Sequence, residues 1–252
     1  MDKVKFPGFL DTLVKEAIDI LVEHEPPEGY YGAFSGGKDS VVVENITSLA
    51  PLKHPVDWHY CVSPIDPPQV YPFIRENYPH VQWDYHARNF WGLVVRKGLP
   101  MRTSRWCCQY IKEAGGIGRT VILGNRKAEG GIRRKQDYYQ KHHSEEKWFV
   151  RPILNFDDDD VWAYITSRGL PYLSLYDQGF TRVGCVLCPF SRKVEREIEF
   201  FPKIAANWLR VCGRIVEDRQ SRDGLYKDGS GREYKQNFAT KEELFAWWIR
   251  RD

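Results

Sequence analysis

The chain has 252 residues, of which 28% are charged and 42% hydrophobic, and its formal net charge is +3. This balance is typical of a globular protein and excludes disordered and collagen-like classes, while so small a charge does not by itself indicate a nucleic-acid partner. No apolar run reaches membrane-spanning length, and the first residues lack the apolar stretch of a secretory leader. We therefore expect a cytoplasmic protein without a membrane partner, whose six cysteines stay reduced.

Predicted strands and helices alternate along most of the chain. Apolar periodicity and turn residues predict strands at 30–34, 56–62, 81–85 and 120–124, and helices at 9–22, 39–49, 67–77, 90–97, 105–113 and 157–167. The polar, aperiodic stretch 127–147 is predicted to be a mobile loop, and 193–222 and 241–250 to be helical. The alternation predicts an α/β fold, a parallel twisted sheet with helices on both faces, followed by a helical C-terminal extension.

A glycine-rich loop joins the first predicted strand to the helix at 39–49. Its sequence is Ser35-Gly36-Gly37-Lys38-Asp39-Ser40. The glycines let the backbone approach a phosphate, the amides that open the helix point at it, and Lys38 adds a positive charge. The spacing differs from the Walker A loop. The hexapeptide resembles the SGGKDS signature of the PP-loop ATP pyrophosphatase superfamily, which implies an adenine nucleotide alpha-hydrolase-like fold and an adenine nucleotide ligand.

Four of the cysteines form two close pairs. Cys107 and Cys108 are adjacent, whereas Cys185 and Cys188 form a CxxC motif followed by Pro189. Four thiolates hold either a tetrahedral zinc ion or a [4Fe-4S] cluster. Adjacent cysteines chelate one ion with poor geometry, so the pattern favours the cluster, in which each sulfur binds its own iron, and zinc is the alternative.

Together these motifs resemble the phosphoadenylyl-sulfate (PAPS) and adenylyl-sulfate (APS) reductase family over residues 30–190. Besides the SGGKDS loop, the resemblance rests on Arg105-Trp106-Cys107-Cys108 with Lys112, Gly124-Asn125-Arg126 leading to Gly131-Ile132-Arg133-Arg134, Pro152-Ile153, Asp160-Val161-Trp162, Leu175-Tyr176-Asp177 and Gly184-Cys185-Val186-Leu187-Cys188-Pro189. It implies a [4Fe-4S] cluster on the four cysteines, as in the APS-using branch. It also implies a thioredoxin-like or ferredoxin-like electron donor.

The resemblance also assigns roles to individual residues. The phosphate or sulfate would lie on the loop residues Ser35, Gly36, Gly37, Lys38, Asp39 and Ser40; the adenosine beside Ser63 and Asp66; and the anionic end of the nucleotide beside Gly124, Arg126, Arg133 and Arg134. Lys112 would be catalytic, pairing with the cluster or with a sulfate oxygen; the alternative is an ordinary exposed lysine.

One part of the family pattern is missing from these 252 residues. Reductases of the family carry a C-terminal Glu-Cys-Gly-Leu-His type segment, whose cysteine attacks the sulfonate sulfur to form a thiosulfonate. The remaining cysteines here are Cys61 and Cys212. Cys212 falls on an apolar helical face and is expected to be buried, whereas Cys61 ends a strand at the carboxyl edge of the sheet, where ligands bind. Cys61 is therefore the candidate nucleophile, with a buried strand cysteine as the alternative.

Three functions remain open at this point. The first is a reductase that converts APS or PAPS to sulfite and AMP or PAP. The second is an ATP pyrophosphatase that activates an acceptor for sulfur transfer to DNA or tRNA, which is the only case with a nucleic-acid partner. The third is a non-catalytic nucleotide sensor with a structural metal. In each case we expect a nucleotide-binding domain at 1–190, which contains the cysteine motifs, and a helical extension at 191–252 packed on it.

Overall fold

The computed structural model describes residues 8–85, 89–143, 145–221, 225–227, 233–235 and 238–250. The helices are α1 (Phe9–Glu23), α2 (Lys38–Leu49), α3 (Val70–Asn77), α4 (Phe90–Lys97), α5 (Trp106–Tyr110), α6 (Asp158–Arg168), α7 (Val194–Phe200), α8 (Pro202–Gln220) and α9 (Lys241–Arg250). The strands are β1 (Tyr31–Ala33), β2 (Asp57–Cys61), β3 (Gln82–Asp84), β4 (Thr120–Ile122), β5 (Tyr139–Lys141), β6 (Trp148–Val150), β7 (Leu225–Lys227) and β8 (Glu233–Lys235).

The first six strands form one sheet in the order β3-β2-β1-β4-β6-β5, and β7 pairs with β8. All pairings in the large sheet are parallel except that between β5 and β6. Tyr31 of β1 is in register with Asp57 of β2 on one side and with Val121 of β4 on the other. The predicted α/β fold with a mostly parallel sheet is thus confirmed, as is the helical character of the C-terminal region.

The strand order explains where a ligand would bind to this sheet. From β1 the chain builds the sheet outward through β2 and β3, whereas from β4 it builds in the opposite direction. Open α/β sheets bind ligands at the carboxyl ends of the two strands that flank such a switch point. The glycine-rich loop follows β1, and Gly124 to Arg126 follow β4, so these two segments meet at the switch point.

The chain divides into two compact units. The first unit comprises the described parts of 1–61, 68–84 and 115–183, and contains the six-stranded sheet with α1, α2, α3 and α6. The second comprises those of 62–67, 85–114 and 184–252, and contains α4, α5 and α7 to α9. The cysteine motifs therefore group with the C-terminal helices. The predicted division at residue 190 stays a prediction.

Aromatic rings form the core of the second unit. Trp208 of α8 is fully buried, and its ring centroid lies 5.8 Å from that of Phe90, 5.1 Å from that of Trp91 and 4.5 Å from that of Trp248. The Nε1–H of Trp248 donates a hydrogen bond of 2.8 Å to the Pro100 carbonyl oxygen. Edge-to-face packing of aromatic rings adds to the free energy gained from their burial. The ring contacts of Trp208 therefore hold α4, α8 and α9 together.

One sequence-based prediction of local structure is wrong. The stretch 127–147 is not an aperiodic loop, because it forms 3₁₀ helices at Lys127–Glu129 and Gly131–Lys135 and the edge strand β5. All three β5 residues are exposed, so no apolar alternation in the sequence predicts this strand. The region 193–222 is helical as predicted, but it is divided at Phe201, since Pro202 begins α8 and lacks the N–H needed to continue α7. Among the described residues, no helix is both long and apolar enough to cross a bilayer.

Candidate nucleotide and cluster sites

The glycine-rich loop has the backbone geometry of a phosphate-binding turn. Gly36 has a φ of 73°, a left-handed conformation that favours glycine. Gly37 precedes the first turn of α2 and has no side chain to cap it, so the positive end of this helix faces an anion on the loop. Ser40 stabilises the turn from inside, since its hydroxyl donates a 2.8 Å hydrogen bond to the Gly37 carbonyl oxygen.

One amide of this loop already has a partner in the first unit. The backbone N–H of Lys38 donates to the hydroxyl oxygen of Tyr176 at 2.9 Å. Burial, as the largest cause, raises the pKa of the Tyr176 hydroxyl, which therefore stays protonated at neutral pH. Tyr176 belongs to the family motif Leu175-Tyr176-Asp177, but no local sequence pattern predicts its contact with the loop.

Two buried cations lie at the switch point, together with two carboxylates. Arg126 is 2% exposed; its Nε lies 2.6 Å from Asp39 Oδ1 and its Nη2 lies 2.8 Å from Asp158 Oδ1. The Nζ of Lys38, which is 5% exposed, lies 2.9 Å from the same oxygen of Asp158. Burial would lower the pKa of Arg126, but Asp39 and Asp158 outweigh it and raise that pKa. We call Lys38, Asp39, Arg126 and Asp158 the charge quartet.

Gly124 is required at the switch point for a steric reason. A Cβ on Gly124 would lie 3.1 Å from the carbonyl carbon of Asp39. Glycine thus lets the segment after β4 approach the first turn of α2 closely enough for Arg126 to reach Asp39. Asp158 lies in the first turn of α6, whose reciprocal capping box is formed by its neighbours Asp157 and Asp160.

The two arginines of the second 3₁₀ helix differ in their contacts. Arg133 forms an ion pair with Glu129, and a carboxylate oxygen of Glu129 also accepts a 3.0 Å hydrogen bond from the Arg126 backbone N–H. Arg134 is exposed. The structure therefore links Arg133 to Arg126 through Glu129, whereas the role predicted for Arg134 rests on the resemblance.

Ser63, Asp66 and Lys112 belong to the second unit. Ser63 is fully buried and Asp66 is 4% exposed. The Nζ of Lys112 lies 2.6 Å from Asp66 Oδ2, so Lys112 is not the ordinary exposed lysine that we considered as the alternative. The Ile65 carbonyl oxygen accepts a 2.7 Å hydrogen bond from the N–H of Val186, which ties this segment to the CxxC turn.

The four predicted metal ligands line a single cavity in the second unit. Its empty volume is about 340 Å³, part of it open to solvent, and its wall consists of Cys107, Cys108, Cys185 and Cys188 with Ile65, Pro100, Ile111, Lys112, Leu187, Pro189 and Trp208. Cys107 and Cys108 lie in the short helix α5. Between the other two, Leu187 adopts a left-handed φ of 57° and its N–H donates to Glu197 Oε2 at 2.6 Å. This turn brings Cys185 and Cys188 to the same cavity.

The thiols of the cavity differ in how readily they lose their protons. The Nη2 of Arg105 donates to Cys108 Sγ at 3.4 Å. The hydrogen bond with Cys107 and the charge of Arg105 lower the pKa of Cys108 to about 6, whereas burial raises the pKa of Cys185. Trp208 also lines the cavity, and its buried indole Nε1–H finds no hydrogen-bond partner among the residues that the structure describes. A buried donor of this kind indicates a missing acceptor.

The same cysteines do not form a compact single-ion site. Within the described part of the chain, no group of three or more His, Cys, Asp or Glu side chains is arranged to hold a metal ion.

The two cysteines outside the cavity differ in burial. Cys61 is half-buried at the end of β2, whereas Cys212 is fully buried in α8, where burial raises its pKa to about 12. Cys212 is thus a core residue, as predicted.

Comparison with known proteins identifies the family. The model of the phosphoadenosine phosphosulfate reductase domain matches residues 30–191. The chain belongs to this family. The match spans the glycine-rich loop and both cysteine motifs, and it ends before α7.

Relatives in the family include proteins with and without an assigned activity. An uncharacterized protein of Methanocaldococcus jannaschii is 30% identical over 219 residues, which is 78% of this chain but 44% of that protein. An adenosine 5'-phosphosulfate reductase of Neisseria meningitidis is 29% identical over 171 residues, 61% of this chain and 64% of the relative. The chain thus spans less than half the length of the first relative and just under two thirds of the second.

Solved structures support the fold. A phosphoadenylyl-sulfate reductase from Candida auris in complex with phosphate aligns with a TM-score of 0.51 at 18% identity, over 71% of this chain and 95% of that chain. An FMN adenylyltransferase from Candida glabrata in complex with FAD and pyrophosphate aligns with a TM-score of 0.55 at 15% identity, over 79% and 76%. At these identities the likeness establishes the shared α/β architecture.

Proposed function

We propose that this protein is a sulfonucleotide reductase. It binds APS or PAPS on the glycine-rich loop, holds a [4Fe-4S] cluster on Cys107, Cys108, Cys185 and Cys188, and releases sulfite together with AMP or PAP. The observation that carries the proposal is the convergence of four thiols on one cavity in a chain of the PAPS reductase family. The 29% identity to a curated APS reductase supports the same assignment.

The first unit supplies the groups that bind an anionic nucleotide. The uncapped start of α2 and the cations Lys38 and Arg126 match the needs of a phosphate, which accepts several hydrogen bonds and carries negative charge. The adenosine would contact Ser63 and Asp66, and Arg133 and Arg134 would lie beside the anionic end. These roles follow from the family resemblance and remain proposals.

We favour a cluster over a zinc ion in the cavity of the second unit. Cys107 and Cys108 are adjacent, and adjacent cysteines chelate a single zinc ion with poor geometry. A cubane binds each thiolate through a different iron. When bound, such a cluster supplies one-electron redox chemistry whose potential depends on nearby charges and hydrogen bonds. The groups positioned for that influence are Arg105, Lys112 and the indole N–H of Trp208.

The reaction needs two electrons and a thiol. An attacking thiolate would form a bond to the sulfonate sulfur as the bond between that sulfur and the phosphate oxygen breaks, so the nucleotide leaves as AMP or PAP and a thiosulfonate remains on the protein. Two electrons, from a thioredoxin-like dithiol or a ferredoxin-like protein, would then cleave the thiosulfonate, release sulfite and restore the thiol. Cys61 is our candidate for an attacking thiol in this chain, because it is half-buried at the carboxyl end of β2, in the same unit as the loop.

A second function is favoured by the charge quartet. Asp39 and Asp158 place two carboxylates at the phosphate loop, and carboxylates together with phosphates are the ligands that Mg²⁺ accepts. Such an arrangement suits an ATP pyrophosphatase, which would adenylate an acceptor during sulfur transfer to DNA or tRNA and release pyrophosphate.

One experiment separates these functions. Anaerobically purified protein is supplied in turn with labelled APS, PAPS and ATP, each with thioredoxin and with dithionite, and sulfite, AMP and pyrophosphate are measured. Sulfite from APS or PAPS supports the reductase, and its loss in Cys61→Ser identifies the thiol. Pyrophosphate from ATP with an acceptor supports the second function. Nucleotide binding without either product would overturn both and leave a nucleotide sensor.

A further inference from the structure

We propose that the Asp158 carboxylate occupies the phosphate site of the free protein by pairing with Lys38 and Arg126, and we call it the resident anion. A nucleotide phosphate that binds to the loop displaces this carboxylate from the two cations. Asp158 therefore competes with the phosphate and lowers the affinity for nucleotides. The inference rests on the proposed function insofar as it takes the glycine-rich loop to be the nucleotide site. It goes further because it makes Asp158 of α6 a competitor of the nucleotide phosphate, whereas its neighbours Asp157 and Asp160 cap that helix.

The geometry shows that Asp158 occupies the place of a ligand anion. A single oxygen, Oδ1, lies 2.9 Å from Lys38 Nζ and 2.8 Å from Arg126 Nη2. The two cations are almost completely buried, whereas the Asp158 side chain is 71% exposed. An exposed acid that bridges two buried cations resembles a phosphate oxygen approaching the same pair from solvent.

Charge balance explains why Asp158 and a phosphate would not both stay. The quartet of Lys38, Asp39, Arg126 and Asp158 contains two positive and two negative side chains, so it is neutral in the free protein. Buried cations need an anion, because an uncompensated buried charge is strongly destabilising. A phosphate dianion satisfies that need by itself, and its repulsion with a retained Asp158 carboxylate would cost affinity.

The Asp158 side chain can move away from the two cations without a loss of helix stability. The capping box of α6 is made by Asp157 and Asp160, so the helix keeps its cap when Asp158 changes rotamer. In the first turn of α6 a carboxylate still interacts favourably with the positive end of the helix dipole. Asp39, by contrast, lies 2.6 Å from Arg126 Nε and would continue to hold that side chain.

The test compares Asp158→Asn with Asp159→Asn, an exposed carboxylate of the same turn. ATP, APS, PAPS and pyrophosphate are titrated into each protein by calorimetry at two salt concentrations, and Tm is measured with and without ligand. We expect Asp158→Asn to bind these ligands about three- to tenfold more tightly, the range between an exposed and a partly buried ion pair. It should also show a lower Tm when free, a larger rise in Tm with ligand and a steeper salt dependence, because the quartet becomes positive.

The outcomes distinguish this inference from the proposed function. Weaker binding in Asp158→Asn overturns the inference and makes Asp158 a residue that positions Lys38 and Arg126. Equal binding in wild type and both variants also overturns it, while the nucleotide site stands. Binding in Asp158→Asn alone supports the inference. No binding in any of the proteins overturns the nucleotide site, and the resident anion with it.

Discussion

The hydroxyl oxygen of Tyr176 lies 2.9 Å from the backbone nitrogen of Lys38, the first residue of α2, and accepts its hydrogen bond. An amide at the start of a helix after a glycine-rich loop is normally offered to a phosphate. In the free protein this one is satisfied by a side chain that lies far from it in sequence. The loop is therefore held in its turn conformation before any ligand arrives.

We expect Tyr176→Phe to reduce the free energy of unfolding by about 0.5–1.5 kcal/mol, the usual net value of one hydrogen bond. Nucleotide affinity should be retained or increased, because the amide of Lys38 is then available to a phosphate. Denaturant unfolding and calorimetry measure the two quantities. Tyr172→Phe is the matched control, because the exposed Tyr172 hydroxyl donates its 3.0 Å hydrogen bond to Asp177 Oδ1, which lies outside the loop. Loss of nucleotide binding in Tyr176→Phe would show that its hydroxyl contacts the ligand.

Lys38→Ala should weaken nucleotide binding by about 1.5–3 kcal/mol, as expected for a charge-assisted contact. The change in Tm of the free protein should be small, because Asp158 is largely exposed and keeps its pairing with Arg126. Lys53→Ala, at an exposed position beyond the C-terminal end of α2, serves as the control. Equal affinities in calorimetry would remove Lys38 from the site.

Wild-type protein prepared without oxygen should be brown and contain about four irons and four sulfides per chain, the cubane stoichiometry. Cys107→Ser and Cys185→Ser should lose most of this iron. Cys212→Ala should retain it, since Cys212 is buried in α8 outside the cavity. Absorption spectra and iron and sulfide assays provide the measurement. One zinc per chain and no colour would contradict the cluster.

His59 should give the stability a dependence on pH. Burial would lower its pKa, but Asp84, whose Oδ1 lies 3.0 Å from Nδ1, and Asp57, whose Oδ1 lies 3.1 Å from Nε2, raise it above the ordinary 6.5. Because the pKa of His59 is higher in the folded protein than in the unfolded chain, the protonated imidazole stabilises the fold. This contribution is complete below pH 6.5, and it is lost as the pH rises through the pKa that His59 has in the folded protein. The unfolding free energy of wild type relative to His59→Gln should therefore be larger at pH 6 than at pH 9. A difference in unfolding free energy that is independent of pH would contradict the charge of His59.

The fold and the location of the phosphate loop followed from local sequence. The loop at 35–40 could be placed because glycine, lysine and the strand–helix order act over a few residues. The same holds for the cysteine pairs, which the fold brings to one cavity. The edge strand β5 could not be predicted, because its pairing with β6 is a tertiary contact and its exposed side chains follow no apolar pattern.

The contacts of Asp158 and Trp208 with the two sites could not be predicted from local sequence, because they are tertiary contacts. Asp158 is one of the aspartates that begin α6, and nothing in its local sequence indicates that it contacts Lys38 and Arg126, which lie in two other segments of the chain. The same is true of Trp208, whose side chain reaches the cysteine cavity through the packing of α8. Such residues become visible only when the elements are assembled.

Trp208 lies beyond residue 191, where the match to the family model ends, and yet it forms part of the cavity wall. A shortened protein cut at the family boundary would keep all four cysteines of the cavity but lose one side of their enclosure. Oxygen and chelators would then reach the sulfurs directly. Trp208 thus covers one side of the thiols, and a fragment that ends at residue 191 should lose the colour of the proposed cluster in air sooner than the full chain does.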